Sequence, residues 1–449
     1  DGTSRFMKDQ RWNFLPSFSL GWNVARENFW KPLESVVNQF KLRGSWGELG
    51  NQNTSNLYPF YEILPVKSNS GNWLVNGGKT NTADIPSLVS TLLTWERVRS
   101  FNVGFDFGAF SNRLTGSFDY FVRKTVDMVG PAPQLPLVLG IAPAIVNNAD
   151  MKSYGFEIEL SWRDRIGEVD YGVKFNLADA QQKVVKYPNT TNAFSDWYAG
   201  KMSGEIWGYT SLGIAKTDEE MKEHLASLPN GGQNQLGNKW GAGDIMYADI
   251  NGDGKVDGGK GTLADPGDQR IIGNSTPRYN FGLVLDASYK GFDVSIFFQG
   301  VGKRDYAPIV GTNGAVFWGA VNNIWQSMAM EEHFDYFRPE GHPMGANLNG
   351  YYPRPDFTSN KNHQVQTRYL QDASYIRLKN LQIGYTLPKQ WINKLHINRC
   401  RVYVSGDNLW TGTSLASMFD PETLAAGDWG SGKTYPLSKV ISFGLNVNF

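Results

Sequence analysis

The sequence predicts an all-β fold, a transmembrane antiparallel β-barrel, on three observations. Apolar and polar residues alternate strictly in many segments, as at the end of the chain, where Ile441, Phe443, Leu445, Val447 and Phe449 are separated by small or polar residues. The connections between such segments alternate between short and long. No stretch approaches 18 consecutive apolar residues, so no transmembrane helix is predicted, whereas membrane-spanning strands are polar at every second residue.

Eleven strands are predicted from the alternation. They cover residues 12–24, 40–49, 95–108, 112–127, 150–163, 168–184, 279–290, 292–302, 373–387, 399–410 and 436–449. Most exceed the five or six residues usual in soluble sheets and suit a tilted membrane span of about 9–11 residues. Because eleven is odd, the first and last strands would run in the same direction. A closed antiparallel bacterial barrel has an even number of strands, so this set is expected to be incomplete.

The connections support a barrel over a soluble β-sandwich. Tight turns at 111–112, 164–168 and 290–291 and two short helical connections would lie on one side of the sheet. Long connections would lie on the other side, at 50–94, 128–149, 185–278, 303–372 and 411–435. This sorting is typical of outer-membrane barrels, and a sandwich gives no reason for it.

Composition excludes several classes of protein. The 449-residue chain carries 43 basic and 43 acidic residues, and a chain without net charge is a poor partner for nucleic acid. A lone Cys400 excludes a disulfide framework and multi-cysteine metal clusters. The mean hydropathy of -0.40 resembles that of a soluble protein, but strands with one polar face give the same value. The first residue, Asp1, indicates a processed chain or a fragment.

A run of oxygen-bearing residues predicts a calcium loop at 249–257. Side-chain oxygens occur at positions 1, 3, 5 and 9 of the loop, a backbone carbonyl would ligate at position 7, and Gly254 allows the sharp turn at position 6. The candidate ligands in this order are Asp249, Asn251, Asp253, Lys255 and Asp257.

The twelfth position of the loop is Lys260, where a calcium-binding EF-hand has a bidentate glutamate. Another carboxylate would therefore have to complete the site, and Asp268 and Asp265 are both candidates. The alternative is a turn rich in Gly and Asp that binds no metal. If the site exists, Ca²⁺ has a structural role, because it offsets the repulsion between the converging carboxylates.

No enzyme is predicted. The five histidines are scattered, and no nucleophile elbow or paired-cysteine site occurs. Residues 427–434 match the phosphate-binding loop pattern, but no strand precedes them and no helix follows, so nucleotide binding is not expected. Thr217 and Glu220 form a capping-box pattern at the start of a surface helix in the long 185–278 connection.

Aromatic residues in the long loops are candidate substrate-binding residues. Such rings stack on sugars or hold peptide side chains, and the alternative is that they pack against each other or against a partner protein. The candidates are Trp197, Tyr198, Trp207, Phe317, Trp318, Tyr336, Phe337, Tyr351, Tyr352 and Trp429.

Several motifs resemble the C-terminal half of SusC/RagA-type TonB-dependent outer-membrane transporters. They are Asp1–Phe6, Arg113–Tyr120, Tyr375–Asn380, Gly384–Pro388, Val404–Trp410, Phe419–Glu422 and Phe443–Phe449. The resemblance spans essentially the whole chain. It implies a 22-stranded bacterial outer-membrane barrel around a plug domain, with the plug and the N-terminal strands absent from this chain. It also implies a SusD-like surface lipoprotein as partner and energy supplied by the TonB-ExbB-ExbD complex. The 185–278 segment would then be an extracellular excursion.

The predicted function is the TonB-dependent import of large nutrients, with glycans or oligosaccharides as first choice of substrate. An oligopeptide importer of the same family is the alternative. Two hypotheses from other classes are a soluble calcium-binding, carbohydrate-binding β-protein and a barrel enzyme such as an outer-membrane hydrolase.

Overall fold

The computed structural model describes most of the chain. The described residues are 1–52, 54, 57–86, 88–130, 138, 140–141, 143–308, 315–322, 329–356, 360–392, 396–424 and 434–449. Within them no helix is long and apolar enough to cross a membrane.

Eleven long strands form one antiparallel sheet in which each strand pairs with the next along the chain. They are β1 (Ser17–Asn23), β2 (Val37–Asn51), β3 (Glu96–Ala109), β4 (Leu114–Val129), β5 (Asn147–Ile166), β6 (Val169–Lys186), β7 (Arg278–Tyr289), β8 (Phe292–Lys303), β9 (Tyr375–Thr386), β10 (Arg399–Thr413) and β11 (Val440–Asn448). The all-β class, the number of long strands and their positions are as predicted. The first strand is shorter than expected and begins after Pro16, which has no N–H to donate to a ladder.

The sheet has one apolar and one polar face, as the register of β10 and β11 shows. Val402 pairs with Leu445 and Val404 with Phe443, and the Phe443 side chain is 84% exposed. On the other face Arg401 pairs with Asn446. A membrane barrel turns such an apolar face to lipid and the polar face to its lumen, so we call these the outer and inner faces.

Glycines on the inner face lie beneath large side chains of the neighbouring strand. A Cβ atom added to Gly384 would collide with the guanidinium of Arg401, and one added to Gly444 would collide with the ring of Tyr403. Only glycine allows these two long side chains to lie flat on the sheet.

Short connections lie at one end of the sheet. Residues 110–113 join β3 to β4, Gly167 and Glu168 form the turn after β5, and Lys290–Gly291 join β7 to β8, with positive φ at Lys290 and Gly291. The two remaining connections at this end contain short helices, at Val24–Arg26, Asn28–Leu33 and Lys389–Ile392.

The long connections at the other end carry their own secondary structure. We use the name cap for the connections 187–277 and 304–374 together with residues 414–424. Strand pairs in the cap are Glu205–Gly208 with Arg270–Asn274, Ser211–Ile214 with Ile245–Tyr247, and Asp305–Tyr306 with Gln371–Asp372. Its helices are α1 (Asp218–Ala226), α2 (Ala315–Asn322) and the 3-10 turns Glu331–Phe334 and Thr367–Tyr369.

One hydrophobic core joins all parts of the cap. Tyr247 from the first connection, Trp318 and Tyr352 from the second, and Phe419 after β10 pack in the same buried cluster. The connection between β2 and β3 is outside it and contains two short strand pairs, Val66–Lys67 with Thr82–Ala83 and Leu74–Val75 with Gly78–Lys79.

Candidate functional site

The cap core buries four of the predicted substrate-binding aromatics. Phe317, Trp318 and Tyr352 are 0%, 1% and 1% exposed, and Phe337 is also buried. The ring centroids of Phe317 and Tyr352 are 5.3 Å apart, and Tyr369 lies 4.8 Å from Trp318. Because protein atoms cover these rings, they offer no face to a sugar. Their placement fits the alternative of loop self-packing.

Three other candidates keep part of their surface accessible near the start of the first cap connection. The Trp207 ring stacks on Phe194, with centroids 4.6 Å apart. Trp197 meets the ring of Tyr187 edge to face. The Tyr198 hydroxyl donates to Glu205 at 2.5 Å, and burial together with this acidic neighbour raises the pKa of the phenol.

A lysine ammonium organises the same turn. The Nζ atom of Lys201 donates to the carbonyl oxygens of Phe194, Ser195 and Asp196 at 2.8, 3.1 and 2.8 Å. Burial lowers the pKa of Lys201. The ammonium thus fixes the turn of backbone carbonyls that comes directly before Trp197 and Tyr198.

Tyr336 and Tyr351 are half-buried. The guanidinium of Arg338 lies 5.0 Å from the Tyr336 ring centroid, and the Tyr351 hydroxyl accepts a hydrogen bond from Gln371 at 2.9 Å. Trp429 lies outside the described residues, as does the phosphate-binding-loop pattern apart from its last residue. The accessible candidates are therefore Trp197, Tyr198, Trp207, Tyr336 and Tyr351.

The predicted calcium loop has the expected sharp turns. Gly252 and Gly254 have φ of 76° and 80°. The Asp249 carboxylate accepts the backbone N–H groups of these two glycines at 2.6 and 2.8 Å. These bonds hold the loop wrapped around the first predicted ligand, as a cation loop requires.

Asp268 lies across the loop. Its fully buried carboxylate accepts the backbone N–H groups of Ile250 at 2.7 Å, Asn251 at 3.3 Å and Asp257 at 2.8 Å. Burial raises the pKa of Asp268. The N–H bonds satisfy a carboxylate that would otherwise be costly to bury.

Lys255 places its side chain inside the acidic loop. Its ammonium lies 2.5 Å from Asp257 and 3.9 Å from Asp253, and the bond from Lys255 lowers the pKa of Asp257. The donors are all oxygens, which suits Ca²⁺. Within the described part of the chain, however, no three His, Cys, Asp or Glu side chains gather as metal ligands do. The loop therefore offers the oxygen atoms that Ca²⁺ prefers as ligands, and calcium binding stays a prediction.

A buried charged network holds the two cap connections together. Asp244 is 0% exposed and accepts from Lys361 at 2.9 Å, from Arg354 at 2.6 and 2.8 Å, and from Asn362 at 2.9 Å. Lys361 is itself 1% exposed. No local pattern in the sequence marks these residues, because the partners of Asp244 lie 110–118 positions away.

A second network ties the cap to the barrel wall. Arg377 of β9 is buried and lies 2.8 Å from Asp420 and 2.9 Å from Glu422, and Glu422 also pairs with Lys379 at 2.7 Å. Two of the motifs that carry the family resemblance, Tyr375–Asn380 and Phe419–Glu422, are thus brought into contact. Their shared role is to fasten the segment after β10 onto β9.

The first turn of helix α1 is closed by side-chain hydrogen bonds to backbone N–H groups. The Thr217 hydroxyl accepts the Glu220 N–H at 3.1 Å, while the Glu220 carboxylate accepts the backbone N–H of Lys216 at 2.6 Å. We expect Thr217→Ala to cost the helix about 1 kcal/mol, because a helix N–H loses its acceptor. Hydrogen exchange of Asp218–Ala226 should become faster, whereas Glu219→Ala should change it little. Equal exchange in the two variants would contradict the assignment.

Comparisons with known proteins agree with this architecture. Residues 1–409 match the family described as TonB dependent receptor-like, beta-barrel. TonB-dependent receptor P3 of Formosa agariphila is 29% identical over 100% of this chain and 43% of its own length. TonB-dependent receptor SusC of Bacteroides thetaiotaomicron is 23% identical over 100% of this chain and 41% of its own length.

A solved structure, that of the RagAB peptide transporter, shares the fold. It has a TM-score of 0.73 and 22% identity over 99% of this chain and 44% of the other. The chain thus spans less than half the length of the relatives it matches. A family match over residues 1–409 together with an eleven-stranded antiparallel sheet leads to one conclusion: the chain belongs to the TonB-dependent receptor-like β-barrel family.

Proposed function

We propose that this chain forms part of the barrel wall and the extracellular cap of a TonB-dependent importer in a bacterial outer membrane. The single observation that carries the proposal is the eleven-stranded sheet, with an apolar outer face, a polar inner face and large folded loops at one end only. The family is one of receptors for transport and not of enzymes. Transport would need displacement of a plug and no covalent chemistry.

We propose oligosaccharides as the substrate class. The inner face is polar, and the cap keeps partly exposed rings at Trp197, Trp207 and Tyr336, of the kind that stack on sugars. Oligopeptides are the second candidate, supported by the shared fold with a peptide transporter. Membership of a membrane-barrel family disfavours the soluble calcium-binding alternative.

The proposed partners follow from the similarity to SusC and RagAB. A SusD-like lipoprotein would cover the cap, and the TonB-ExbB-ExbD complex would act through a part of the protein outside this chain. The plug and the remaining strands would complete the barrel, and lipid would contact the outer face.

Uptake by cells tests the proposal. A strain that lacks the complete gene should fail to import one class of fluorescently labelled oligosaccharide, and the gene with its lipoprotein partner should restore uptake. Loss of TonB should abolish uptake in the complemented strain. Selective loss of oligopeptide uptake would instead support the second candidate. Full uptake of both classes without the gene, or recovery of the complete protein as a soluble monomer, would refute an importer.

We also propose that Ca²⁺ stabilises the loop 249–257, with Asp249, Asn251, Asp253, the Lys255 carbonyl, Asp257 and Asp268 as candidate ligands. Support comes from the glycine turns and from Asp268, whose buried carboxylate lies across the loop. Burial and, to a smaller extent, the nearby Asp249 raise the pKa of Asp268, and a bound cation would offset both effects.

Removal of calcium should therefore loosen the cap. We expect a chelator to speed hydrogen exchange in 249–268, and added Ca²⁺ but not Mg²⁺ to reverse the effect, because Mg²⁺ demands a tighter octahedral site. Asp249→Asn should abolish the response, whereas Asp335→Asn, elsewhere in the cap, should retain it. Exchange that is indifferent to chelator in the wild-type protein would exclude the metal.

A further inference from the structure

A small polar cavity lies where β6, β7 and β8 meet the base of the cap. Its volume is about 190 Å³, and its lining includes Gln181, Gln182, Ser203, Thr276, Arg278 and Lys303. Sites for drug-sized ligands usually measure about 300–1,000 Å³. This cavity therefore suits one ring or one substituent of a longer molecule.

Hydrogen bonds fix one wall of this cavity. The Ser203 carbonyl accepts from the Asn274 side-chain amide at 2.9 Å and from the Thr276 hydroxyl at 2.8 Å. The Ser203 hydroxyl donates to the Gln182 side-chain oxygen at 3.1 Å, and the Asn274 side-chain oxygen accepts the Thr276 N–H at 2.8 Å. The wall is thus held in one arrangement, and several of its acceptors are already used.

Among the side chains that line the cavity, most of the groups still able to form a hydrogen bond are donors. Within the described ranges, the Lys303 ammonium has neither an ion pair nor a hydrogen bond, and the Gln181 amide has none either. The Gln182 amide nitrogen reaches only the Met151 sulfur, at 3.7 Å. Arg278 is engaged by Asp179. No carboxylate is among the lining residues, and the exposed Lys303 ammonium brings a positive charge for which the described residues show no ion pair.

We propose that this cavity binds an anionic group, a carboxylate or a sulfate, carried by an acidic oligosaccharide. The inference rests on the proposed import of oligosaccharides and narrows it. An anion accepts hydrogen bonds without donating any, which matches the Lys303 ammonium and the side-chain NH₂ groups of Gln181 and Gln182. A neutral sugar could accept from the ammonium but could not pair with its charge. The cavity lies where the ends of β6, β7 and β8 meet the base of the cap.

Binding measurements with the complete protein in detergent, together with its lipoprotein, test the inference. Calorimetry would compare hexagalacturonate, its methyl ester, a sulfated galactan hexasaccharide and an acidic hexapeptide. We expect the acid to bind tighter than its ester. Lys303→Gln should weaken binding of the acid by about tenfold or more, because a charge-assisted hydrogen bond is lost. Lys303→Glu should weaken it further. The ester should bind the wild-type protein and both variants alike.

Lys222→Gln, on the exposed surface of α1, is the matched control and should bind like the wild-type protein. Tighter binding of the sulfated galactan than of the galacturonate would identify sulfate as the anionic group. Equal binding of acid and ester, an unchanged affinity in Lys303→Gln, or a preference for the peptide would overturn the inference. If neutral and acidic oligosaccharides were bound and taken up equally well, the anion site would be refuted, but the proposed import of oligosaccharides would stand. Failure to bind any saccharide would contradict both.

Discussion

Asp244→Ala should unfold the cap while the barrel persists. The substitution removes the carboxylate that lies 2.9 Å from the ammonium of Lys361, which is 1% exposed, and 2.6 Å from the guanidinium of Arg354. Asp356, at 3.9 Å, is a more distant partner of Lys361. Removal of one partner from a buried ion pair costs about 3–5 kcal/mol, because the remaining charge stays buried. Hydrogen exchange should accelerate throughout 187–277 and 304–374, since Asp244 joins the two connections. The shift of electrophoretic mobility on heating should persist, because the strand ladder is not touched.

Two further variants test whether the buried charge left by Asp244→Ala causes the instability. Glu219→Ala removes an exposed carboxylate from α1 and should leave exchange in the cap unchanged. Asp244→Leu combined with Lys361→Met removes both charges of the pair in which both side chains are buried, so it should be less destabilising than Asp244→Ala. If the double variant were as unstable as Asp244→Ala, the charge left behind would not be the cause.

Tyr352→Ala should also destabilise the cap strongly. The ring is 1% exposed and packs against Phe317, Trp318 and Tyr369. Truncation of a large buried aromatic side chain costs about 3–5 kcal/mol, because it loses apolar burial and leaves a cavity. Limited proteolysis should therefore cut the cap of this variant at protease concentrations that the wild-type protein resists.

Tyr336→Ala is the matched comparison, because this ring is half-buried and has the Arg338 guanidinium on one face. Its truncation should leave protease resistance nearly unchanged. If Tyr336→Ala weakened binding of an oligosaccharide while Tyr352→Ala mainly destabilised the cap, the two roles considered for the loop aromatics would be separated. Weaker binding by a fully stable Tyr352→Ala protein would contradict its assignment to the core.

The barrel strands could be predicted from the sequence because their signal is local. In β11 each second residue from Ile441 to Val447 is apolar, and this pattern alone specifies a strand with two unlike faces. The tight turn at Lys290–Gly291 is also predicted by a local signal, a glycine between two alternating segments, and both residues have positive φ. Fold class and strand count therefore followed from spacing alone.

The cap could not be predicted to the same depth, because its structure depends on contacts between distant residues. Trp197 and Trp318 are both loop tryptophans in the sequence, yet one stays partly exposed and the other is fully buried. What separates them is that Trp318 meets Tyr352 and Tyr369 in the folded cap. Similarly, the hydrogen bonds from the N–H groups of Ile250 and Asp257 to the Asp268 carboxylate join residues that no local pattern links.

The glycines beneath Arg401 and Tyr403 have a consequence for what passes through the completed barrel. Because both long side chains lie along the wall, we expect them to take up little room in the passage of the proposed importer. A residue larger than glycine at position 384 or 444 would lift the guanidinium or the ring towards the axis. The passage would then be narrower, and the largest substrate able to pass would be smaller, without any change in the number of strands.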